Sequence, residues 1–138
     1  MAQTFYLEIV ASDRVFFKGD CEKLIFPAID GECGILANHE AMVTALKAGE
    51  LRFFTDGAWR YAAVSDGFVE ITPKIVTLLA DSIEHPEEID RVRAERAKEM
   101  AQEKLRQKQS QMEYYHTQTA LNRAMNRLRV SAKHNHDI

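Results

Sequence analysis

The pattern of apolar and polar residues changes its period once along the chain, near residue 84. Before that point, apolar and polar residues partly alternate over short segments rich in β-branched and aromatic side chains, as in Thr4–Val10 and Leu51–Thr55. Such segments are typical of β-strands. Turn signals such as Asp56–Gly57 and Asp66–Gly67 separate the segments at intervals of roughly 8–12 residues. Residues 1–84 are therefore predicted to form a β-sandwich or barrel. The predicted strands are Thr4–Val10, Arg14–Lys18, Cys21–Phe26, Gly34–Leu36, Leu51–Thr55, Trp59–Val64, Phe68–Thr72 and Ile75–Ala80.

Several expectations concern the less regular parts of this region. Pro27 is expected to end the strand before it, because proline has no N–H for a sheet ladder. Asp30–Gly31 predicts a tight turn, and Gly34 predicts a bulge or a close backbone approach. Ala41–Leu46 is predicted to be an irregular crossover or a single helical turn. Ile75–Ala80 is apolar nearly throughout and is predicted to be buried.

From residue 85 onward the apolar positions recur with a period of about 3.6, which predicts helices. Pro86 suits a first helical turn, and Glu87, Glu88 and Asp90 place negative charge where the helix dipole favours it. Two stripes of mostly small side chains can pack closely as an antiparallel pair. The predicted fold class is α+β in two parts, with an all-β sandwich or barrel over 1–84 and an antiparallel two-helix hairpin over 85–138. The stripes are Ala94, Ala97, Ala101 and Leu105 in the first helix, and Leu121, Ala124, Met125 and Leu128 in the second.

This hairpin is predicted to be only marginally stable. Burial of a few alanines and leucines contributes a few kcal/mol at ~25 cal/mol per Å². The connection 107–112 contains neither Gly nor Pro, and Ser110 is able to cap a new helix. Two conformations are therefore expected to be close in free energy, a folded hairpin and a long extended helix.

Composition and charge narrow the classes of function. The chain has 138 residues, of which 46% are hydrophobic, and this suffices for one modest core. The net charge of −3 is uneven, with −6 on residues 1–84 and +3 on residues 85–138. The basic residues alternate with acidic ones at helical spacing and lack an aromatic platform, which argues against nucleic acid as a partner. Cys21 and Cys33 lack metal or redox spacing and are expected to be reduced, partly buried thiols of a cytosolic protein.

The sequence predicts a soluble chain that reaches a membrane only through a partner. The first residues lack the basic region of a signal peptide, and no apolar run approaches the roughly 20 residues that span a bilayer.

No catalytic motif for a triphosphate loop, a serine nucleophile or a zinc protease occurs in the sequence. His39 and Glu40 could transfer protons but lack a cleft-forming context, so a loop or interface role is favoured. His134 and His136 are spaced for adventitious metal binding, but they lie in a terminus that is expected to be disordered. The chain is therefore predicted not to be an enzyme, with no metal site and no required cofactor.

One ordered set of residues is more specific than its periodicity. It reads Pro27-x-x-Asp30-Gly31-Glu32-x-Gly34-Ile35-Leu36-x-x-His39, followed by Leu46-Lys47-x-Gly49-Glu50-Leu51. This set closely resembles the N-terminal domain of the epsilon subunit of F-type ATP synthases, which is called delta in mitochondria. The order of features along the whole chain is similar to this family too. The resemblance implies a non-catalytic subunit of the rotating central stalk, at the cytoplasmic face of a bacterial cell membrane.

The resemblance also implies three partners within the synthase complex. Glu32 and His39 would lie on loops that face the ring of c subunits. Other surfaces of the sandwich would contact the gamma subunit and so couple the proton- or sodium-driven ring to the shaft. The extended helices would place Arg123, Arg127 and Arg129 against acidic surfaces of the catalytic alpha/beta head and impede ATP hydrolysis.

A nucleotide site is the second implication. Taken alone, Ile89–Ala94 is an ordinary acidic helix start followed by solvated arginines, but it also matches the I/L-D-x-x-R-A pattern of ATP-binding family members. Met100 stands where those members carry a further arginine, and Arg96 lies one turn away. Two interpretations stay open, namely ATP as a regulatory ligand that clamps the folded hairpin, or a basic arm for protein surfaces alone. The residues of the implied site are Glu84, Ile89, Asp90, Arg93, Ala94, Arg123 and Arg127.

Two other classes of function compete with the stalk subunit. A free-standing ATP-sensing module predicts a monomer in cell extracts, whereas a stalk subunit predicts co-purification with gamma. A small enzyme on a β-sandwich requires a cleft with paired groups of perturbed pKa, for which only His39 and Glu40 are candidates.

Overall fold

The computed structural model describes residues 3–106 and 111–134, and the chain divides into two compact units, Met1–Glu84 and His85–Ile138. Within the described residues the first unit has ten strands. They are β1 Phe5–Ala11, β2 Val15–Cys21, β3 Lys23–Ala28, β4 Gly31–Leu36, β5 Met42–Leu46, β6 Gly49–Thr55, β7 Ala58–Val64, β8 Gly67–Ile71, β9 Ile75–Ala80 and β10 Ile83–Glu84.

These strands form a sheet that folds over on itself around one core. Their order is β10-β7-β6-β3-β5-β8-β9-β1-β2, with β4 on the other side of β3. The pairing is antiparallel except between β1 and β9, and β2 lies against β6. Alternation along each strand turns one side chain in two inward, so that Phe5, Leu7 and Ile9 are at most 2% exposed. The predicted sandwich or barrel is confirmed.

The chain makes a two-residue hairpin where Asp56–Gly57 predicts one. Both residues have positive φ, 52° and 77°, and Thr55 pairs with Ala58 across the turn. Two positive φ angles match the twist of the flanking strands, which is why this dipeptide is favoured there.

The prediction for Pro27 is wrong, because β3 continues through it to Ala28. The missing N–H falls where β3 changes its neighbour. Pairing with β6 ends at Ile25, and pairing with β5 occurs at Ala28. The carbonyl of Pro27 still accepts a hydrogen bond from the N–H of Lys47 at 2.9 Å.

The predictions for Ala41–Leu46 and Gly34 are also wrong. Met42–Leu46 is a regular strand paired with β8, since its backbone groups find a partner more than twenty residues away in sequence. A Cβ added at Gly34 would meet none of the described atoms within 4 Å, whereas one added at Gly67 would lie 1.8 Å from the carbonyl oxygen of Leu79. The close backbone approach therefore occurs at Gly67.

The second unit contains a 3-10 helix, Pro86–Glu88, and two helices, α1 Arg91–Leu105 and α2 Gln111–His134. The two helices pack together, and Leu128 near the end of α2 lies beside Arg91 and Val92 at the start of α1. The pair is therefore antiparallel, as predicted. Residues 107–110, with the expected cap at Ser110, lie outside the described residues.

The contact stripe of the helix pair differs in part from the predicted one. Ala94, Ala101, Leu121 and Ala124 are buried, but Ala97 is exposed and Met125 is 43% exposed. Positions on the face that meets the other helix are spaced alternately four and three residues apart, and Ala97 and Met125 fall outside this face. The buried or half-buried residues at this spacing are Ala94, Lys98, Ala101 and Leu105 on α1, and Thr117, Leu121, Ala124, Leu128 and Ser131 on α2, where Asn126 and Val130 are buried as well.

Candidate functional site

The start of α1 is built from local caps. Asp90 is the N-cap, and its Oδ1 accepts a hydrogen bond from the backbone N–H of Arg93 at 3.0 Å. The preceding 3-10 helix begins at Pro86, and Glu88 Oε1 accepts from the N–H of His85 at 2.9 Å. The helix therefore begins after Asp90, a few residues later than Pro86 suggested. One carboxylate oxygen of the candidate nucleotide ligand Asp90 serves this cap.

The other residues of the implied nucleotide site differ in their exposure. Ile89 is 8% exposed and Ala94 4%, whereas Arg93 is exposed. Arg123 and Arg127 are half-buried on α2, and Glu84 is half-buried in β10 of the first unit. The packing of α1 on α2 brings Arg93 and Ala94 into the same helix pair as the two arginines of α2.

A groove of about 540 Å³ lies between the two helices. Four charged side chains of α1 stand around the apolar Val92 and Leu128. None of the residues implied for the nucleotide site lines this groove, so it is a different surface of the helix pair. Its lining residues are Arg91, Val92, Glu95, Arg96, Glu99 and Leu128.

Glu32 is the second residue of β4 and not part of a loop. Its Oε2 lies 2.7 Å from Nη2 of Arg52, and Nε of Arg52 lies 3.6 Å from Glu50. The Arg52 guanidinium thus bridges Glu50 on its own strand, β6, and Glu32 on β4, which lies on the other side of β3. The prediction that Glu32 lies on a loop is wrong, because the strand begins directly at Gly31.

His39 follows the opposite end of β4. Its Nδ1 lies 2.8 Å from the carbonyl oxygen of Glu40, and since a carbonyl only accepts, this nitrogen carries the hydrogen. Asn38 before it has φ 63°, and its backbone N–H donates to the carbonyl of Pro73 at 2.9 Å. About 13 Å of strand separates Glu32 from Leu36, and His39 lies three residues further on. The two residues therefore lie at opposite ends of β4.

One exposed surface of the first unit was not predicted from the sequence. Ile75 and Leu79 in the strand that was predicted to be buried are 49% and 50% exposed, and Phe68 and Val43 on adjacent strands are 62% and 68% exposed. Strand pairing joins Ala45 to Phe68, Phe68 to Leu79, and Leu79 to Val10. We call this surface the outer apolar face and define it as Val10, Val43, Ala45, Phe68, Ile75 and Leu79.

A signal for this face was present in the sequence. A strand that is apolar on both of its faces has both faces covered, by its own core or by another molecule. The nearly continuous apolar run Ile75–Ala80 therefore predicts burial in an assembly as well as burial within the chain.

The two cysteines are unsuited to redox or metal chemistry. Cys21 is fully buried, and its thiol donates toward the carbonyl oxygens of Lys23 and Phe54 at 3.0 and 3.3 Å. Burial raises the pKa of Cys21 to about 11, and burial also raises the pKa of Cys33. No group of residues in the described parts of the chain is arranged to hold a metal ion, and His136 lies outside those parts.

Comparisons with known proteins cover nearly the whole chain. A family model described as "ATP synthase, Delta/Epsilon chain, beta-sandwich domain" matches residues 4–86, and one described as "ATP synthase, Delta/Epsilon chain, long alpha-helix domain" matches residues 87–132. A protein of Ruminiclostridium cellulolyticum named ATP synthase epsilon chain is 49% identical over 91% of this chain and 93% of its own length. One of the same name from Caldicellulosiruptor bescii is 44% identical over 97% of this chain and 98% of its own length.

Solved structures share the fold. A chain in a structure described as Euglena gracilis mitochondrial ATP synthase, OSCP/F1/c-ring, has a TM-score of 0.79 at 23% identity and covers 95% of this chain and 82% of that one. A chain in a structure of the Tetrahymena thermophila mitochondrial ATP synthase, central stalk/c-ring, has a TM-score of 0.69 at 10% identity and covers 94% of this chain and 97% of that one. Within the described residues no helix is both long and apolar enough to cross a membrane. On the two matching family models and the identity to epsilon chains over most of its length, the chain belongs to the ATP synthase delta/epsilon chain family.

Proposed function

We propose that the chain is a non-catalytic rotor subunit of a bacterial F-type ATP synthase, at the cytoplasmic face of the cell membrane. The first unit would join the ring of c subunits to the gamma subunit, and the second unit would restrain ATP hydrolysis by the alpha/beta head. The names of the relatives and the stalk and c-ring assemblies that hold the similar folds support this proposal.

The observation that carries the proposal is the outer apolar face. Ala45, Phe68, Leu79 and Val10 form one continuous apolar row across β5, β8, β9 and β1. Phe68 and Leu79 in this row are 62% and 50% exposed, and exposed apolar surface of this kind marks protein interfaces. Burial of such a surface against gamma would stabilise the complex at about 25 cal/mol per Å² of apolar area before the cost of association.

Acidic side chains beside the outer apolar face determine which charges a partner of this face must carry. Glu70 pairs with Thr77, and Thr77 pairs with Glu8, in the row next to Phe68 and Leu79. A partner that covers this face therefore presents apolar side chains together with basic ones opposite Glu8 and Glu70. We assign this partner as the gamma subunit.

The contact with the ring of c subunits belongs to the end of the sandwich that carries Glu32. The turn beside Glu32 exposes 66% of Ile29, which gives this end an apolar contact next to the Glu32–Arg52 ion pair. His39 lies at the other end of β4 and would meet a different partner surface.

The proposed brake uses the basic side of α2. Arg129 is exposed and available to an acidic surface of the head, whereas Arg123 and Arg127 are half-buried and would have to turn outward or move with the helix. ATP bound by Arg93, Arg123 and Arg127 would favour the folded pair only by its differential affinity for that form.

The binding of purified gamma tests the role of the outer apolar face. Phe68→Glu places a charge in the middle of the proposed interface and is expected to weaken binding at least tenfold. Leu36→Glu is the matched control, since Leu36 is 60% exposed on β4 in another part of the sheet, and it should bind gamma like the unaltered chain. Equal affinities of the two variants would contradict the assignment.

A calorimetric titration of ATP into the full chain tests the regulatory ligand. Saturable binding that is weakened by both Arg93→Ala and Arg123→Ala would support closure of the two helices on nucleotide. The absence of binding up to millimolar ATP would leave the helices as an arm for protein surfaces, with the stalk role unchanged.

A further inference from the structure

Polar contacts hold the last residues of the first unit in place. From the turn between β1 and β2, the Ser12 hydroxyl donates to the carbonyl of Asp81 at 3.0 Å, and Nη2 of Arg14 donates to the carbonyl of Ile83 at 2.6 Å. The guanidinium of Arg14 also lies 5.4 Å from the centre of the Phe16 ring. These residues come from a part of the chain 69 positions earlier in sequence.

A second set of contacts comes from the segment between β7 and β8. The N–H of Ser65 donates to the carbonyl of Ser82 at 3.0 Å, and the N–H of Ser82 donates to the Ser65 hydroxyl oxygen at 2.7 Å. The N–H of Asp81 donates to the carbonyl of Asp66 at 2.9 Å. Ser65 is only 4% exposed, so water does not readily replace its hydroxyl.

The strand that these contacts flank is too short to hold itself. β10 has two residues, Ile83 and Glu84, which pair with Val64 and Ala63. Two paired residues form far fewer ladder hydrogen bonds than an ordinary strand of five or six. The polar contacts of Arg14 and Ser65 therefore make a large contribution to keeping β10 on β7.

The residues after β10 differ from β10 in their backbone conformation and secondary structure. Ile89 and Asp90 are extended, with φ/ψ of −71°/119° and −80°/99°, between the 3-10 helix and α1. Residues at the ends of elements absorb the backbone changes of hinge motions. The clasped strand is thus followed by a short segment whose extended residues stand at the ends of elements, and whose 3-10 helix contacts α2.

We propose that Arg14 and Ser65 form a clasp that fixes the point where the chain leaves the first unit, so that rearrangements of the helices pivot at residues 85–90. The effect of the clasp on the helices rests on the proposed regulatory role, whereas the existence of the clasp does not. Arg14 and Ser65 act as positioning residues: without them residues 81–84 would join the pivot and lengthen the tether of the helices. A longer tether lowers the effective concentration of a tethered module at its docking site.

Residue-resolved amide exchange on the full chain tests the clasp. Ser65→Ala removes the acceptor of the Ser82 N–H, and Arg14→Gln removes the charged donor to Ile83. In each variant we expect the amide of Ser82 to exchange at least about threefold faster, since one hydrogen bond is lost. The core amides of Leu7 and Leu78 should keep their rates, which shows that the sandwich stays folded.

Lys18→Gln is the matched control, because it removes one positive charge from the exposed part of β2. It is expected to leave the exchange of Ser82 unchanged. If Ser82 exchanges in Ser65→Ala and Arg14→Gln as it does in the unaltered chain, the clasp is refuted, whatever the helices do.

The regulatory consequence is measured separately as ATP hydrolysis by the assembled synthase. We expect the clasp variants to change the extent of inhibition relative to Lys18→Gln, and no change despite faster exchange at Ser82 would refute the positioning role. A complex whose subunit ends at Glu84 reports on the proposed brake itself. If that truncation leaves hydrolysis unaltered, the brake fails while the exchange result for the clasp stands.

Discussion

At the scale of single residues, one glycine is required by its neighbours and another is not. Gly67 pairs with Ala80 at the start of β8, and a Cβ there would lie 1.8 Å from the carbonyl oxygen of Leu79 and 2.8 Å from Cα of Ala80. Both atoms belong to the backbone and cannot move aside as a flexible side chain can. The loss of β8–β9 pairing is the expected consequence of any larger residue at this position.

We predict that Gly67→Ala lowers the free energy of unfolding by at least about 3 kcal/mol in urea denaturation. Gly34→Ala is the control, since its added Cβ meets no described atom within 4 Å, and it should change stability by less than about 1 kcal/mol. Comparable losses in the two variants would contradict the close approach at Gly67.

Cys21 gives the stability a dependence on pH. Its pKa is raised from 9.0 to about 11 in the folded chain by burial. A raised pKa means that the folded state holds the proton more tightly than the unfolded state does. The resulting stabilisation is complete below pH 9 and is lost as the pH rises through 11.

We therefore expect the unaltered chain to lose about 1–2 kcal/mol more stability between pH 9 and pH 11 than Cys21→Ala does. Urea unfolding at several pH values measures the difference, and the lysines and tyrosines common to both chains cancel. Parallel stability curves for the two chains would show that the thiol does not titrate in this way.

At the scale of elements, the sequence predicted where most strands occur, but it did not predict which faces of the strands are buried. The alternation in β1 and the turn at Asp56–Gly57 are local features, because they depend on neighbours two to four residues away. β5 escaped prediction because its partner β8 lies far along the chain. The outer face of β9 escaped because an apolar side chain does not report whether anything covers it.

Two variants of Asp90 can separate its role as the cap of α1 from its proposed role in ATP binding. Asp90→Ala removes the cap on the Arg93 N–H and should reduce the stability of the helix pair by about 1 kcal/mol. Asp90→Asn retains a capping oxygen and should leave the stability nearly unchanged. Thermal melting of the helical circular dichroism signal measures both effects.

The same two variants test the nucleotide proposal. If Asp90 binds ATP through its charge, Asp90→Asn weakens ATP binding although the helix pair stays intact. If Asp90 serves only as a cap, the asparagine variant keeps the affinity of the unaltered chain. Glu87→Ala in the adjoining 3-10 helix is the control and should alter neither quantity.

At the scale of the whole molecule, the two units differ in how they bury apolar surface. The hydrophobic core cluster lies entirely between Phe5 and Ile83 and includes large side chains such as Phe26 and Phe53. The buried residues of α1 are the alanines Ala94 and Ala101. The first unit therefore has a core of its own, whereas the second unit buries few large apolar side chains, among them Ile89, Leu121 and Val130.

We predict that a chain ending at Glu84 folds cooperatively with a thermal midpoint within about 5 °C of that of the sandwich in the full chain. We expect a peptide of residues 85–138 to melt broadly, because helices without a large apolar core are marginal in water. Circular dichroism at 215 nm follows the unfolding of the sandwich, and circular dichroism at 222 nm follows that of the helical peptide. A sharp cooperative transition of the isolated peptide would contradict this view of the helix pair.

The family assignment from the sequence is confirmed, and with it the conclusion that the chain is a subunit of an enzyme complex and not the enzyme itself. The motif around Pro27–Leu51 carried that assignment because several of its residues meet backbone requirements, such as the contact of Gly49 with the Pro27 ring. Two expectations from the sequence were wrong, namely the loop position of Glu32 and the burial of Ala97. The separation of Glu32 from His39 along β4, and the exposure of Ala97, depend on how strands and helices are paired.

The residue pattern alone determined the two-part organisation and the change of period near residue 84, because each follows from the residue types of near neighbours in sequence. The antiparallel helices were predicted from two matching stripes of small side chains. Tertiary structure decided which apolar faces are covered and which stay open, as at Phe68 and Leu79. It also decided the pairing of Glu32 with Arg52 and the contact of Arg14 with Ile83. These contacts join residues 20 and 69 positions apart, and no local pattern of side chains encodes a distance of that kind.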